Sequence, residues 1–262
     1  MREREQREQR KKRRRRARRR FLGKLVLAAV FCIAVVFLAR AGWKHLQSRM
    51  EVSPERLAEE GYPESLIELL EKNPETKDFV LNHRNYPGLQ EIDVSGEVKQ
   101  GEIPLFLQWD ERWGYETYGS DFLAVTGCGP TCLSMVLCDL TAESRWNPLE
   151  VARGADEQGY YVEGSGSSWV LMMSGAQSLG LTVSEVIFDE EHIRSTLEEG
   201  TPIICVVGPG DFTTSGHFLV LTGADDSGKI LLKDPNSRIR TEKAWDVEDL
   251  MAQIRNLWAY SY

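Results

Sequence analysis

Residues 127–131 read Gly127-Cys128-Gly129-Pro130-Thr131. A cysteine between two glycines is open to close approach by another backbone. Pro130 fits a helix only in its first turn, where the missing N–H goes unclaimed. The helix therefore starts at or just before Cys128 and runs through Leu133, Met135, Val136, Leu137 and Leu140. Unpaired amides and the positive dipole end at that position favour a thiolate. The thiolate is the nucleophilic form of cysteine, so Cys128 is a candidate nucleophile. The plainer reading is a turn cysteine that only packs.

Working outward, residues 216–223 read Gly-His-Phe-Leu-Val-Leu-Thr-Gly. His217 opens an apolar strand, at a sheet end rather than its middle. Imidazole titrates near neutrality, so it can take a thiol proton and later protonate a leaving amine. A lone histidine is more often structural. Asp234 closes the next strand-like run, residues 229–234. Adjacent strands could present His217 and Asp234 side by side, the carboxylate holding the imidazole in one tautomer. The alternative is a turn aspartate, since Asp234-Pro235-Asn236 is good turn chemistry. Asn236 is a second, weaker candidate for the orienting role. Gln108, in Ile103-Pro-Leu-Phe-Leu-Gln108-Trp109, could aim its amide at a developing oxyanion together with the backbone amide of Cys128. Alone, it reads as an ordinary polar loop residue.

The coarse element reading is helices first and strands later. After the cysteine helix, a second helix opens at Asn147-Pro148, a cap followed by proline at the first helical position. A third is expected over residues 168–179 and a fourth over 189–200, each stopped by glycine. Strands are expected over 181–188, 203–207, 217–222, 229–233 and 257–262. That order is an α+β pattern.

In the order Gln108, Cys128, His217, Asp234, the chain resembles the C39-like peptidase family, a branch of the papain-like cysteine peptidases. The resemblance rests on Ile103-Pro104 with Gln108 and Trp113, on residues 127–131, on Gly210-Asp-Phe-Thr213 leading into Gly216-His217-Phe218, and on Asp234-Pro235. It covers residues 103–262. It implies a papain-like fold in which the cysteine helix packs on an antiparallel sheet. It also implies a cysteine peptidase with Cys128 as nucleophile, His217 as base, Asp234 as orienter and Gln108 as oxyanion donor, working on a peptide or protein through a thioester acyl-enzyme. In members fused to exporters the glutamine lies only a few residues before the cysteine, whereas here Gln108 stands twenty positions before Cys128. This chain has no Walker A sequence, so cleavage of a double-glycine leader does not carry over. A cell-wall peptide hydrolase or amidase of the same mechanism is one alternative. A non-catalytic peptide-binding domain with the same fold is another.

The net charge of −8 averages two unlike parts. Residues 1–20 carry thirteen Lys or Arg against three Glu, whereas residues 41–262 carry 17 basic and 37 acidic side chains. Residues 21–39 are apolar apart from Lys24 and Gly23. As a helix they span roughly 28 Å, about the thickness of a bilayer core. A basic flank on one side holds that side in the cytoplasm. The expected layout is therefore a basic cytoplasmic tail (1–20), a single transmembrane signal anchor (21–41), a helical spacer and linker (42–102) and an extracytoplasmic peptidase domain (103–262). A cleaved signal peptide is the alternative to an anchor. The acidic remainder argues against nucleic acid as a partner. Residues 54–61 and 63–72 each open on a proline and read as short helices; residues 84–102 read as a linker. A protein partner docking on residues 50–100 is the alternative to a simple spacer.

Five cysteines stand at 32, 128, 132, 138 and 205, without the density of a disulfide scaffold. Cys128, Cys132 and Cys138 lack a histidine at metal-ligand spacing, so no metal or other cofactor is expected. His45, His83 and His192 read as non-catalytic. Trp113, Trp146, Trp169, Trp245 and Trp258 read as core or groove-lining residues.

Overall fold

The computed structural model describes Arg40 and residues 52–262. The chain divides into two units, one ending at Gly61 and the other formed by Tyr62–Tyr262. In the first, helix Pro54–Glu59 is capped by Ser53, whose side chain accepts from the Arg56 amide. The expected membrane span, residues 21–41, lies outside the described residues save for Arg40. Among the described residues no helix is long and apolar enough to cross a membrane.

The second unit has nine strands. Two short hairpins, β1 (Thr117–Tyr118) with β2 (Asp121–Phe122) and β3 (Tyr161–Val162) with β4 (Gly166–Ser167), flank the cysteine helix in sequence. The main sheet contains β5 (Thr182–Glu185), β6 (Ile203–Val207), β7 (His217–Ala224), β8 (Ile230–Lys233) and β9 (Ile254–Ser261). All its pairings are antiparallel and its order is β5-β9-β6-β7-β8. The α+β architecture is thus as expected.

Side-chain alternation divides the sheet between two cores. Ile204, Val206, Phe218, Val220, Trp258 and Tyr260 face the core that contains the cysteine helix. Ile203, Cys205, Val207, Leu219, Leu221 and Leu257 face a second core, built with helices Glu190–Glu198 and Val247–Gln253. With both faces covered, β6 is buried along its whole length, which is why it reads as an unbroken apolar run.

The cysteine helix, Cys128–Thr141, is buried from Gly129 through Asp139. It packs against β7 and against helix Pro148–Glu157. Burying a side chain such as Leu133 or Leu137 contributes roughly 1.5–3 kcal/mol, so this helix is held by its core rather than by propensity. It ends at Ala142 in the left-handed region (φ 55°), with the Ala142 amide bonded to the Cys138 carbonyl at 3.0 Å.

Several elements differ from expectation. The helix expected over 168–179 is split into a 3₁₀ turn, Trp169–Met172, and a short helix, Ser174–Ser178, broken at Met173. The Tyr260 hydroxyl donates to the Met172 carbonyl at 2.9 Å, taking the acceptor a continuous helix would give to residue 176. Strand β9 begins at Ile254, earlier than expected, and Pro63 sits just before helix Glu64–Lys72 rather than inside it. Residues 62–102, expected as spacer and linker, lie in the same compact unit as the rest. Within them Leu66, Ile67 and Val80 are buried, and Val94 belongs to the core that holds the cysteine helix. Trp113, Trp245 and Trp258 are buried, whereas Trp169 is exposed.

Candidate active site

Cys128 is the first residue of its helix, following a tight turn out of helix Leu123–Thr126. Both neighbouring glycines are required there. A Cβ on Gly127 would lie 2.5 Å from the Leu123 carbonyl oxygen, and one on Gly129 would lie 2.5 Å from the Ser167 hydroxyl. The Cys128 side chain is partly buried and is a free thiol, as are Cys132, Cys138 and Cys205.

His217 opens β7 and Asp234 follows β8 at the same end of the paired strands. Both are buried, and His217 Nε2 lies 2.8 Å from Asp234 Oδ1. With Nε2–H donated to that carboxylate, Nδ1 is the ring nitrogen left for the thiol. Asp234 has two further donors: the Asn236 amide at 2.7 Å and the Arg240 guanidinium through Nε. The Asp234 amide donates to Thr241 Oγ1 at 2.9 Å, fixing the turn.

The electrostatics follow from these contacts. Burial pushes the Cys128 thiol up. Hydrogen bonding and charge from His217, together with the Phe218 and Gly129 amides, outweigh it, so the thiol lies below its ordinary value. Burial disfavours charge on His217, but Asp234 opposes this, with help from Cys128, and raises the imidazole to about 10. Asp234 lies below the usual carboxylate range because His217 and Arg240 overcome the cost of its burial. Cys132 and Cys205, buried without such partners, are pushed up, Cys205 to about 12. The arrangement therefore favours a thiolate beside an imidazolium.

Gln108 is buried beside this pair. Its backbone amide donates to the Pro235 carbonyl at 2.7 Å, and its side-chain Nε2 donates to the Ala124 carbonyl at 2.6 Å. One N–H of the side-chain amide remains. Oε1 has no hydrogen-bond partner among the described residues. Gln108, Cys128 and His217 all line one cleft of about 720 Å³, with Asp234 bonded behind His217. The four residues singled out in the sequence thus meet in one place. Asn236 does not orient the imidazole with its side chain. Its amide binds Asp234, and its carbonyl accepts from Trp109 Nε1 at 3.1 Å.

Two contributors were not found from sequence. Arg240 lies on helix Arg238–Glu242, which carries no apolar period to betray it. The other is helix Glu64–Lys72: Glu64, Ser65, Glu68, Leu69 and Lys72, spaced as one helical face, line the same cleft. Its position is set by Asn73, whose Nδ2 donates to the backbone carbonyl and to Oδ1 (3.1 Å) of Asn236. Glu75 adds to this, accepting from the Ser237 hydroxyl and from the Arg238 amide at 2.9 Å. No cluster of His, Cys, Asp and Glu suited to a metal ion occurs among the described residues.

The peptidase domain of Streptococcus ComA, a bi-functional ABC transporter involved in a quorum sensing pathway, is similar at 18% identity and a TM-score of 0.41, over 52% of this chain and 91% of that one. A Bacillus anthracis protein described as a C39-like peptidase is similar at 15% identity and a TM-score of 0.37, over 63% of this chain and 97% of that one. No curated protein sequence matches the chain. The sequence profile of the Peptidase_C39 like family matches residues 100–262, more than half of the chain. The chain belongs to the Peptidase_C39 like family.

Proposed function

We propose that this protein is a cysteine peptidase that hydrolyses peptide bonds with Cys128, His217 and Asp234. The observation that carries this reading is His217, bonded at Nε2 to a buried carboxylate and paired with a thiol held below its ordinary value. The Cys128 thiolate attacks the scissile carbonyl carbon, and the C=O π electrons move onto oxygen. The oxyanion is met by the Cys128 amide, which has no intrahelical acceptor at the first helical position, and by the free N–H of Gln108. As the tetrahedral adduct collapses, His217 gives its proton to the leaving amine, and a thioester remains on Cys128. Water then attacks the thioester while His217 takes a proton from it. Loss of the acid product restores the thiolate and the imidazolium. Asp234 keeps the ring in its tautomer throughout, and Arg240 keeps Asp234 ionised.

The membrane reading belongs to the same proposal. Residues 21–41 anchor the chain, residues 1–20 stay in the cytoplasm, and the catalytic unit acts on the other side. It is supported by the apolar length and by the basic flank.

Incubating the detergent-solubilised full chain with an unfolded protein and, separately, with isolated cell wall tests the activity. The expected result is fragmentation of the unfolded protein, with an acyl adduct on Cys128 trapped by acid quenching. An intact protein substrate, despite a fully titratable Cys128 thiol, is the result that overturns it.

A further inference from the structure

We infer that the cleft selects a peptide bearing a cationic side chain, and that Glu64, on helix Glu64–Lys72, is the residue that reads it. This inference rests on the peptidase reading and adds to it the class of substrate. The matched family region begins at residue 100, so the helix that walls the cleft lies outside it. The wall is nonetheless fixed in place. Leu66, Ile67 and Leu69 are buried on it, and Asn73 and Glu75 tie its far end to the loop that follows Asp234.

The charges around the cleft do not balance. Glu68 is matched by Lys72 at 2.7 Å, and Arg240 is matched by Asp234. That leaves Glu64, Asp121 and Asp211, which make no ion pair among the described residues. Asp121 accepts only from the Ser65 hydroxyl (2.8 Å) and the Phe122 amide (2.7 Å), and Asp211 from Gln253 Nε2 at 2.9 Å. The Glu64 side chain is exposed and makes no hydrogen bond or ion pair among the described residues. Three unmatched carboxylates round a concave surface focus a negative potential into it. A second, independent feature also points to a ligand. Gln108 is only 3% exposed, lines the same cleft, and has an Oε1 that no group among the described residues satisfies. A buried acceptor without a partner calls for an N–H donor. A peptide supplies N–H groups along its main chain, and a lysine or arginine supplies more. An acidic peptide would instead bring like charges together.

The test uses peptidyl chloromethyl ketones that differ only in carrying lysine or glutamate, scanned through the positions before the reactive group. The Cys128 sulfur displaces chloride, and alkylation of the full chain is followed by mass spectrometry at low salt. At one or more positions, the lysine probe is expected to react about tenfold faster than its glutamate twin. Glu64→Lys, an exposed change that leaves the core alone, is expected to bring that ratio down several-fold. Added salt is expected to lower the ratio in the parent chain. Equal rates for the twins at every position, or a ratio unmoved by Glu64→Lys, overturn the inference. Neutral iodoacetamide separates the two ways of failing. If it alkylates Cys128 at neutral pH while the twins react equally, the substrate class falls and the peptidase reading stands. If no reagent alkylates Cys128, both fall.

Discussion

A Cys128→Ser variant is expected to hydrolyse peptides about 10⁴-fold more slowly than the parent chain, or worse, because the members of such a unit act together and fail together. The physical reason lies in what His217 can ionise. A thiol brought below its ordinary value by an adjacent imidazole gives up its proton more readily. A serine hydroxyl in the same place stays neutral and must lose its proton during attack, at a site whose histidine is already protonated. The substitution is nearly isosteric, so the helix start, the contacts of Gly127 and Gly129 and the His217–Asp234 bond remain. Single-turnover cleavage of the same peptide by both forms, with thermal melting as the control for folding, makes the comparison. A variant within tenfold of the parent would remove Cys128 from the chemistry.

Asp234→Asn is the second large effect. Loss of the orienting carboxylate is expected to lower kcat/KM by about 10²–10⁴-fold. The carboxylate accepts from His217 Nε2, from the Asn236 amide and from Arg240. An amide in its place cannot accept through both ends, so one donor is left facing an N–H. The pH dependence carries the sign. Asp234 is what lifts His217 to about 10, so the alkaline limb of activity, set by loss of the imidazolium proton, should move down towards neutrality in the variant. The acid limb belongs to thiolate protonation, and it should move up, because a neutral imidazole no longer holds the thiolate. The active window therefore narrows from both sides. Stability follows the same pair. Its contribution is present above the pH at which Asp234 ionises in the unfolded chain, and is lost as pH rises through about 10, where His217 becomes neutral. The melting difference between parent and variant should therefore shrink at both extremes. A pH profile of kcat/KM with unchanged limbs would show that Asp234 is only a turn residue.

The parts of the site that could be read from sequence are those whose constraints are local. Pro130 three residues after Gly127 fixes a helix start, and the start fixes the environment of Cys128. Gly216 before an apolar run puts His217 at a strand end, and Asp234-Pro235 ends the neighbouring strand. What could not be read depends on long-range contacts. At the break at Met173 the Met172 carbonyl is taken by Tyr260, a partner far along the chain. The role of residues 64–75 depends on Asn73 and Glu75 meeting residues 236–238. Their amphipathic helix is equally compatible with a spacer until those contacts are known. Arg240 was missed because a short polar helix has no periodicity, and because its use becomes visible only when Asp234 is seen to need another donor. Gln108 was legible as a candidate, but the unsatisfied state of its Oε1 belongs to tertiary structure alone.

The most direct measurement is the rate of Cys128 alkylation by iodoacetamide as a function of pH, in the parent chain and in His217→Ala. If the sulfur and the imidazole share a proton, the parent should react as a thiolate below the ordinary thiol range. The variant's profile should then shift upward, since burial alone raises the thiol. Coincident profiles in the two proteins, both centred at or above the ordinary thiol range, would contradict the pairing.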